Sequence, residues 1–414
     1  MIKPAPLFAA LALLVALPAL AAPMAGKPDK ALLAAATAEA PALTATLERL
    51  VNIETGTGDA EGMAAMATLL ETELKASGAS VERVPATNGV AGDIIVARLS
   101  GRGKGRLMLL AHMDTVYQRG ALARAPFRIA DEADGKRAYG PGIADDKGGV
   151  AVILHALRLV RPRDYRSLTI VINTDEERGS TGSSAQITEL ARGQDAVLSF
   201  EPTIMPEMLL RATSGIAGVN ITITGKASHA GAAPELGINA LTEAAAIIAR
   251  TTDLDQGPGK LRFNWTMLEQ PRAVRNIVPE KVILGGDLRY TSAADFEAFK
   301  AEFARRTATP SIAGAQVTVS IEPGRPAFSA TPAGDALIAR AKAIYASLGH
   351  TLTVVPLSGG GTDAGYAALA GVPVIEAMGL PGFGYHSGAA EYVHLDAVPR
   401  RLYLAAEMIR QLGR

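Results

Sequence analysis

Arg106-Leu107-Met108-Leu109-Leu110-Ala111-His112-Met113-Asp114, residues 106–114, is the stretch on which the fold turns. Its apolar residues run on without alternation, and the run from Arg106 to Leu110 is short. A strand buried on both faces reads this way, as parallel strands inside an α/β sheet do. The stretch then ends on a histidine and an aspartate. In open α/β sheets, sites form just beyond the carboxyl ends of the strands. One segment thus supplies both a core strand and candidate chemistry at its tip.

The neighbouring segments extend this pattern. Residues 31–52 and 62–77 have helical spacing, the second stopped by Gly78. Asp93 to Leu99, Leu168 to Asn173 and Ala196 to Phe200 read as further strands, with a helix from Gly149 to Leu159. Strands alternating with helices predict an α/β sheet with helices on both faces. The middle of the chain has another order. Gly218 to Thr224, Arg262 to Met267, Lys281 to Tyr290 and Ala315 to Ile321 read as strands. Asn239 to Arg250 and Ala294 to Arg305 read as helices. That β-α-β-β-α-β order is ferredoxin-like, and its length of about 110 residues suits a small domain. The expected organisation is a catalytic domain in two parts, residues 22–213 and 326–414, with residues 214–325 inserted between them.

The chain of 414 residues is 48% hydrophobic, as a globular protein is. Its 41 basic and 41 acidic residues balance, and no basic run points to nucleic acid. It has no cysteine, so disulfides and thiolate metal sites are excluded, and any metal must bind His, Asp or Glu. Residues 1–21 read as a signal peptide: Lys3, an apolar run from Leu7 to Leu20, and the small-x-small site Ala19-Leu20-Ala21. The run falls short of the roughly 20 residues a bilayer span needs. An exported chain, periplasmic or secreted and free of the membrane after cleavage, is expected.

Four segments carry acidic or histidine residues just past an apolar strand: His112 with Asp114, Asp145 with Asp146, Asp175 to Glu177, and Glu201. A fifth piece, Gly384 to Ser387, carries His386. Burying such groups is costly unless they pair or bind metal. Charge counting fits two zinc ions, since Asp145, Glu177, Glu201 and one hydroxide bring four negative charges, with His112 and His386 as neutral donors. A bridging aspartate can hold two metals about 3.5–4 Å apart. Asp114, two residues after His112 in an extended segment, falls on the same side and can fix the imidazole tautomer. Glu176, beside Glu177, suits a general base.

Taken together, AHMDTV, GPGIADDKGG, NTDEERGS, SFEPT, GKASHAGAAPE and GFGYHSGAAEYV resemble the co-catalytic zinc metallopeptidases, which include aminoacylases, succinyl-diaminopimelate desuccinylases and glutamate carboxypeptidases. VNIETGTGDAEG at 51–62, RFNWT at 262–266, GRPAF at 324–328 and SGGGTDAGYAAL at 358–369 extend the resemblance to the glutamate carboxypeptidases over the whole mature chain. The resemblance implies two zinc ions per subunit, one on His112, Asp145 and Glu201 and the other on Asp145, Glu177 and His386. It implies Glu176 as base, Asp114 as the residue orienting His112, and a cis Asp145-Asp146 peptide. The inserted domain would be a lid that also forms a homodimer, with His229 on it stabilising the oxyanion in its own or the partner's site. Asn276, Arg289, Arg325 and Gly361 would line a pocket for a small substrate with a free carboxylate.

One position departs from the glutamate-releasing pattern. Met208 stands where a lysine is expected, with Arg211 the nearest base. The implied function is hydrolysis of the amide to a C-terminal amino acid, glutamate foremost, on N-acyl, peptidyl or folate-type substrates. The rivals are an aminoacylase, desuccinylase or dipeptidase with the same chemistry, and a non-catalytic periplasmic binding protein. His155, His350 and His394 are read as structural.

Overall fold

The computed structural model describes residues 26–387 and 390–414. The signal-peptide segment lies outside the described residues. Among those described, no helix is long and apolar enough to cross a membrane.

A six-stranded mixed sheet forms the larger unit. Its order is Ser80–Pro85, Asp93–Ser100, Ser167–Asn173, Arg106–His112, Ala196–Ser199, Val374–Ile375. Ser80–Pro85 and Asp93–Ser100 join antiparallel, and the remaining strands run parallel. Successive residues of Arg106–His112 serve opposite faces, as the two-residue period of a strand requires. Leu107 and Leu109 pack into one core with the helices Lys30–Val51, Ala60–Ala76, Lys147–Leu159 and Val398–Gly413. Met108 and Leu110 pack into another, under Ser184–Ala191 and Ala364–Ala368. An unbroken apolar run is what such a two-sided position needs. The helix Lys147–Leu159 is buried from Lys147 through Leu157, which accounts for its apolar circumference.

The parallel register sets the strand tips level. His112 pairs with Asn173, and Leu110 with Ser199. The segments that follow, Asp175 to Glu177 and Phe200-Glu201, therefore emerge beside His112.

The middle of the chain forms a second sheet, ordered Arg262–Glu269, Lys281–Tyr290, Gly215–Thr224, Gln316–Pro323, with every pairing antiparallel. This is the ferredoxin-like arrangement. Ala217, Val219, Ile221 and Ile223 alternate inward along the central strand. The helices Ala240–Thr251 and Ala293–Thr307 cover that face, capped by the Asn239 and Ser292 side chains. Phe263, Phe299 and Phe303 interlock at ring-centroid distances of 5.1–5.7 Å. Each such buried side chain contributes about 1.5–3 kcal/mol. This sheet has its own core, separate from the two beneath the large sheet.

Two smaller sheets lie outside the sequence reading. Arg128–Glu132, Gly135–Tyr139, Tyr392–His394 and Gly382–Phe383 form one, and Met208–Leu210 pairs with Thr353–Val355 in the other. Several of these strands are two or three residues long, too short for periodicity to register.

Candidate metal centre

His112 ends its strand buried, with both ring nitrogens engaged. Nδ1 lies 3.2 Å from Asp114 Oδ1 and 3.1 Å from the Asp114 carbonyl oxygen. Nε2 lies 3.0 Å from Asp145 Oδ1 and 3.7 Å from Glu201 Oε1. The other oxygen of Asp145 is 3.3 Å from His386 Nε2, and Glu177 Oε2 is 2.9 Å from that same nitrogen. Asp145 thus spans two imidazoles. The Asp145-Asp146 peptide is cis, as expected. Asp146 turns away to cap the helix Lys147–Leu159, accepting from Gly149 N at 3.1 Å, and accepts from His112 N at 3.3 Å. His386 holds its place with φ of 54°, a left-handed backbone uncommon outside glycine.

Asp114 organises more than its histidine. Fully buried, it accepts the backbone N–H of Glu176 at 3.0 Å and of Glu177 at 3.1 Å, and the Thr57 hydroxyl at 2.7 Å. One carboxylate thereby ties two strand tips together. Glu391, also buried, accepts from the backbone N–H groups of Gly142 (2.8 Å), Ala144 (2.7 Å) and Asp145 (3.0 Å). It fixes the loop that presents Asp145. Neither Thr57 nor Glu391 emerges as a site residue from sequence, although both lie inside motifs that carry the resemblance. Partners so far apart in the chain become visible only when folded.

The electrostatics are those of a site short of positive charge. Burial pushes Glu201 well above its usual value, aided by Glu176 nearby. Burial also raises Glu177, against the hydrogen bond from His386. Glu176 is pushed up to about 8 by burial, against the pull of Arg325 and His112. For Asp145 burial is overcome by hydrogen bonds from His112 and His386, which hold it below the carboxylate range. His386 is lifted to about 10 by its bonds to Asp145 and Glu177. The buried Glu177 Oε1 has no hydrogen-bond partner among the described residues. Buried carboxylates in excess, with an unspent oxygen, fit divalent metal, and an all-oxygen and nitrogen donor set suits zinc. Ligand atoms of His112, Glu176 and Glu201 lie within 4.8 Å of one another, as do those of Asp145, Glu177 and His386. The sequence expectation placed Asp145, not Glu176, with His112 and Glu201. Asp145 stands close enough to His112 to serve that group as well.

The centre opens into a cavity of about 650 Å³ between the two sheets, with Arg178, Arg289, Arg325 and Gly361 in its wall. Arg325, expected to line the pocket, stands in this wall and is also paired with Glu176, Nη1 to Oε1 at 2.5 Å, while donating to the carbonyl oxygens of Gly361 and Glu176. A Cβ on Gly361 would lie 3.0 Å from the Ser214 carbonyl oxygen and 3.2 Å from Arg325 Cδ, a tight fit that glycine relieves. Arg289 pairs with Asp287 at 2.9 Å and reaches the Gly359 carbonyl at 3.4 Å.

His229 and Asn276 do not line this cavity. Both are exposed on the second unit, adjacent through a bond from Ala230 N to the Asn276 carbonyl at 2.9 Å. They sit on two adjacent loops that folding of one chain leaves outside the cavity. His229 Nδ1 accepts from Gly231 N and Ala232 N at 3.2 and 3.1 Å, which leaves its proton on Nε2. Arg211 pairs with Asp335 at 2.6 and 2.8 Å and is likewise absent from the cavity wall. His155 is structural, held by Glu39 and Thr46.

Two neighbouring sets of oxygen and nitrogen donors at the strand tips of this scaffold define a hydrolase of the two-metal peptidase class. The chain belongs to peptidase family M20/M25/M40, whose family pattern matches residues 108–411. It is 53% identical to carboxypeptidase G2 of Pseudomonas sp. (strain RS-16) over 394 residues, 94% of each chain. It is also 34% identical to the acetylornithine deacetylase of Edwardsiella ictaluri, over 42% of this chain and 44% of that one. Among solved structures, aminopeptidase PepT of Bacillus cereus superposes with a TM-score of 0.77 at 23% identity, covering 91% of this chain and 99% of its own. A dinuclear metal-binding peptidase of the same family from Bacillus subtilis gives 0.66 at 16% identity, covering 91% and 99%. The two structural likenesses concern the fold alone.

Proposed function

We propose that the protein is a two-zinc carboxypeptidase that hydrolyses the amide bond to a C-terminal amino acid, glutamate foremost, on N-acyl, peptidyl or folate-type substrates. The observation that carries this reading is Asp145, whose two oxygens face the imidazoles of His112 and His386. The 53% identity to carboxypeptidase G2 supports the carboxypeptidase direction, and the motif resemblance to the glutamate carboxypeptidases supports glutamate as the leaving residue.

In this reading His112, Asp145 and Glu201 hold one zinc ion, and Asp145, Glu177 and His386 the other. The ions supply, when bound, Lewis-acid polarisation of the scissile carbonyl and a water of lowered pKa. Glu176 is the proton carrier. Buried, and pushed up to about 8, it can take a proton from the attacking water and pass it to the leaving amine near neutral pH. Arg325 holds Glu176 by its oxygen and by its backbone. Asp114 keeps Nδ1 of His112 as the donor, so that Nε2 faces inward with its lone pair. Arg289, with a planar fork suited to carboxylates, anchors the substrate's α-carboxylate. The glycine-rich stretch 359–361 brings backbone close to it.

The second unit acts as a lid and a dimerisation domain, residues 214–325. Its His229 offers Nε2–H to the developing oxyanion. Because His229 and Asn276 lie outside the cavity of their own chain, they would complete a partner's site in a homodimer. Export to the periplasm is read from the features of residues 1–21. A panel of folate-type glutamates, N-acyl amino acids and dipeptides on zinc-loaded protein tests the reading. Release of C-terminal glutamate is expected. Turnover confined to other classes would move the protein to an aminoacylase or dipeptidase, and no turnover at all would refute hydrolysis.

A further inference from the structure

The cavity wall carries three guanidinium groups, and two are already answered by carboxylates of the chain. Arg325 is matched by Glu176, and Arg289 by Asp287 through Nε alone, which leaves Nη2 for a substrate carboxylate. Arg178 lines the same cavity, yet among the described residues its side chain makes no hydrogen bond and no ion pair. Its backbone is nonetheless firmly held. It closes the three-residue helical turn Glu176–Arg178, its N–H donates to the Asp175 carbonyl at 3.2 Å, and the next residue, Gly179, accepts the Tyr366 hydroxyl at 2.8 Å. A held backbone carrying an exposed, unmatched guanidinium in the cavity wall, one residue from Glu177 and two from Glu176, is suited to receive a substrate anion. Leu210 and Ile216 in the same wall offer no charge, and Arg211 is spent on Asp335 outside the cavity.

We propose that Arg178 is a specificity-determining residue that pairs with the side-chain carboxylate of the C-terminal residue, selecting glutamate over its uncharged isostere glutamine. The proposal rests on the hydrolytic reading above. Arg289 takes the α-carboxylate and Arg178 the second one, so a dicarboxylic residue engages both forks, whereas glutamine leaves Arg178 unmatched.

The test compares N-acyl-glutamate with N-acyl-glutamine on zinc-loaded wild type, Arg178→Met and Arg178→Lys. Calorimetry adds the affinities for free glutamate and free glutamine. Wild type should prefer glutamate in both measurements. In Arg178→Met the glutamate-to-glutamine ratio of kcat/KM should fall roughly 10- to 100-fold, through KM on glutamate, as loss of one charged hydrogen-bonded pair implies. Arg178→Lys should keep part of the preference. An unchanged ratio in Arg178→Met, or a wild type that hydrolyses both substrates equally, would overturn the proposal and leave the hydrolytic reading standing. Hydrolysis of neither would refute that reading, and the proposal with it.

Discussion

Arg325 and Glu176 form a buried ion pair at 2.5 Å, with Arg325 only 6% exposed. An arginine of the cavity wall thus also holds the proposed base. Arg325 opposes the burial that raises Glu176, so its removal should raise the glutamate further. Because the base must be deprotonated to act, the acid limb of the pH–kcat profile should move to higher pH in Arg325→Met. Zinc content should stay unchanged, and Arg325→Lys should recover part of the shift. An acid limb that stays in place would show that Arg325 does not govern Glu176.

Glu391 gathers three backbone N–H groups of the loop that presents Asp145. Its replacement by glutamine removes a charged acceptor without changing shape. Supporting residues behind metal ligands are worth about 10- to 100-fold in metal affinity. Competition with a chelator should show a loss of that size in Glu391→Gln, and wild-type affinity would refute the positioning role.

Zinc loading should release protons. His386 is lifted to about 10 by Asp145 and Glu177, and His112, despite burial, is raised by Asp114 and Asp145, so both imidazoles hold their protons more tightly than a free imidazole before metal arrives. A metal must displace those protons, and affinity should therefore fall as pH falls. Calorimetry at pH 7 in buffers of different ionisation enthalpy should report net proton release. Heats independent of buffer would contradict it.

The fold was legible where one physical constraint dominated. The unbroken run Leu107 to Leu110 marks a strand buried on both faces, and the alternation from Gly218 to Thr224 marks one buried on a single face. His112, Glu177 and Glu201 were legible because they follow apolar strands whose tips the parallel register brings level. Thr57 and Glu391 were not, since nothing local distinguishes a buried acceptor from a solvated one. Arg325 lies in the cavity wall as expected, but its pairing with Glu176 was not legible, because an arginine's partner depends on which element approaches it. Arg178 is equally silent in sequence, since its distinction is the absence of a partner.

His229 calls for a test in trans. Glu176→Ala and His229→Ala should each be nearly inactive alone. If His229 serves the partner's site, mixed dimers hold one site with an intact Glu176 and an intact partner histidine, and activity should reappear after subunit exchange. No recovery in verified mixed dimers, or a fully active monomer by sedimentation, would confine His229 to other roles.

The most direct measurement is zinc content and N-acyl-glutamate turnover, determined together on wild type and Glu176→Ala. Two zinc ions per chain are predicted in both proteins, with turnover in Glu176→Ala reduced by about 10²- to 10⁴-fold, the usual worth of a positioned base. Full turnover in Glu176→Ala, or less than one zinc per chain in carefully purified wild type, would contradict the two-metal mechanism.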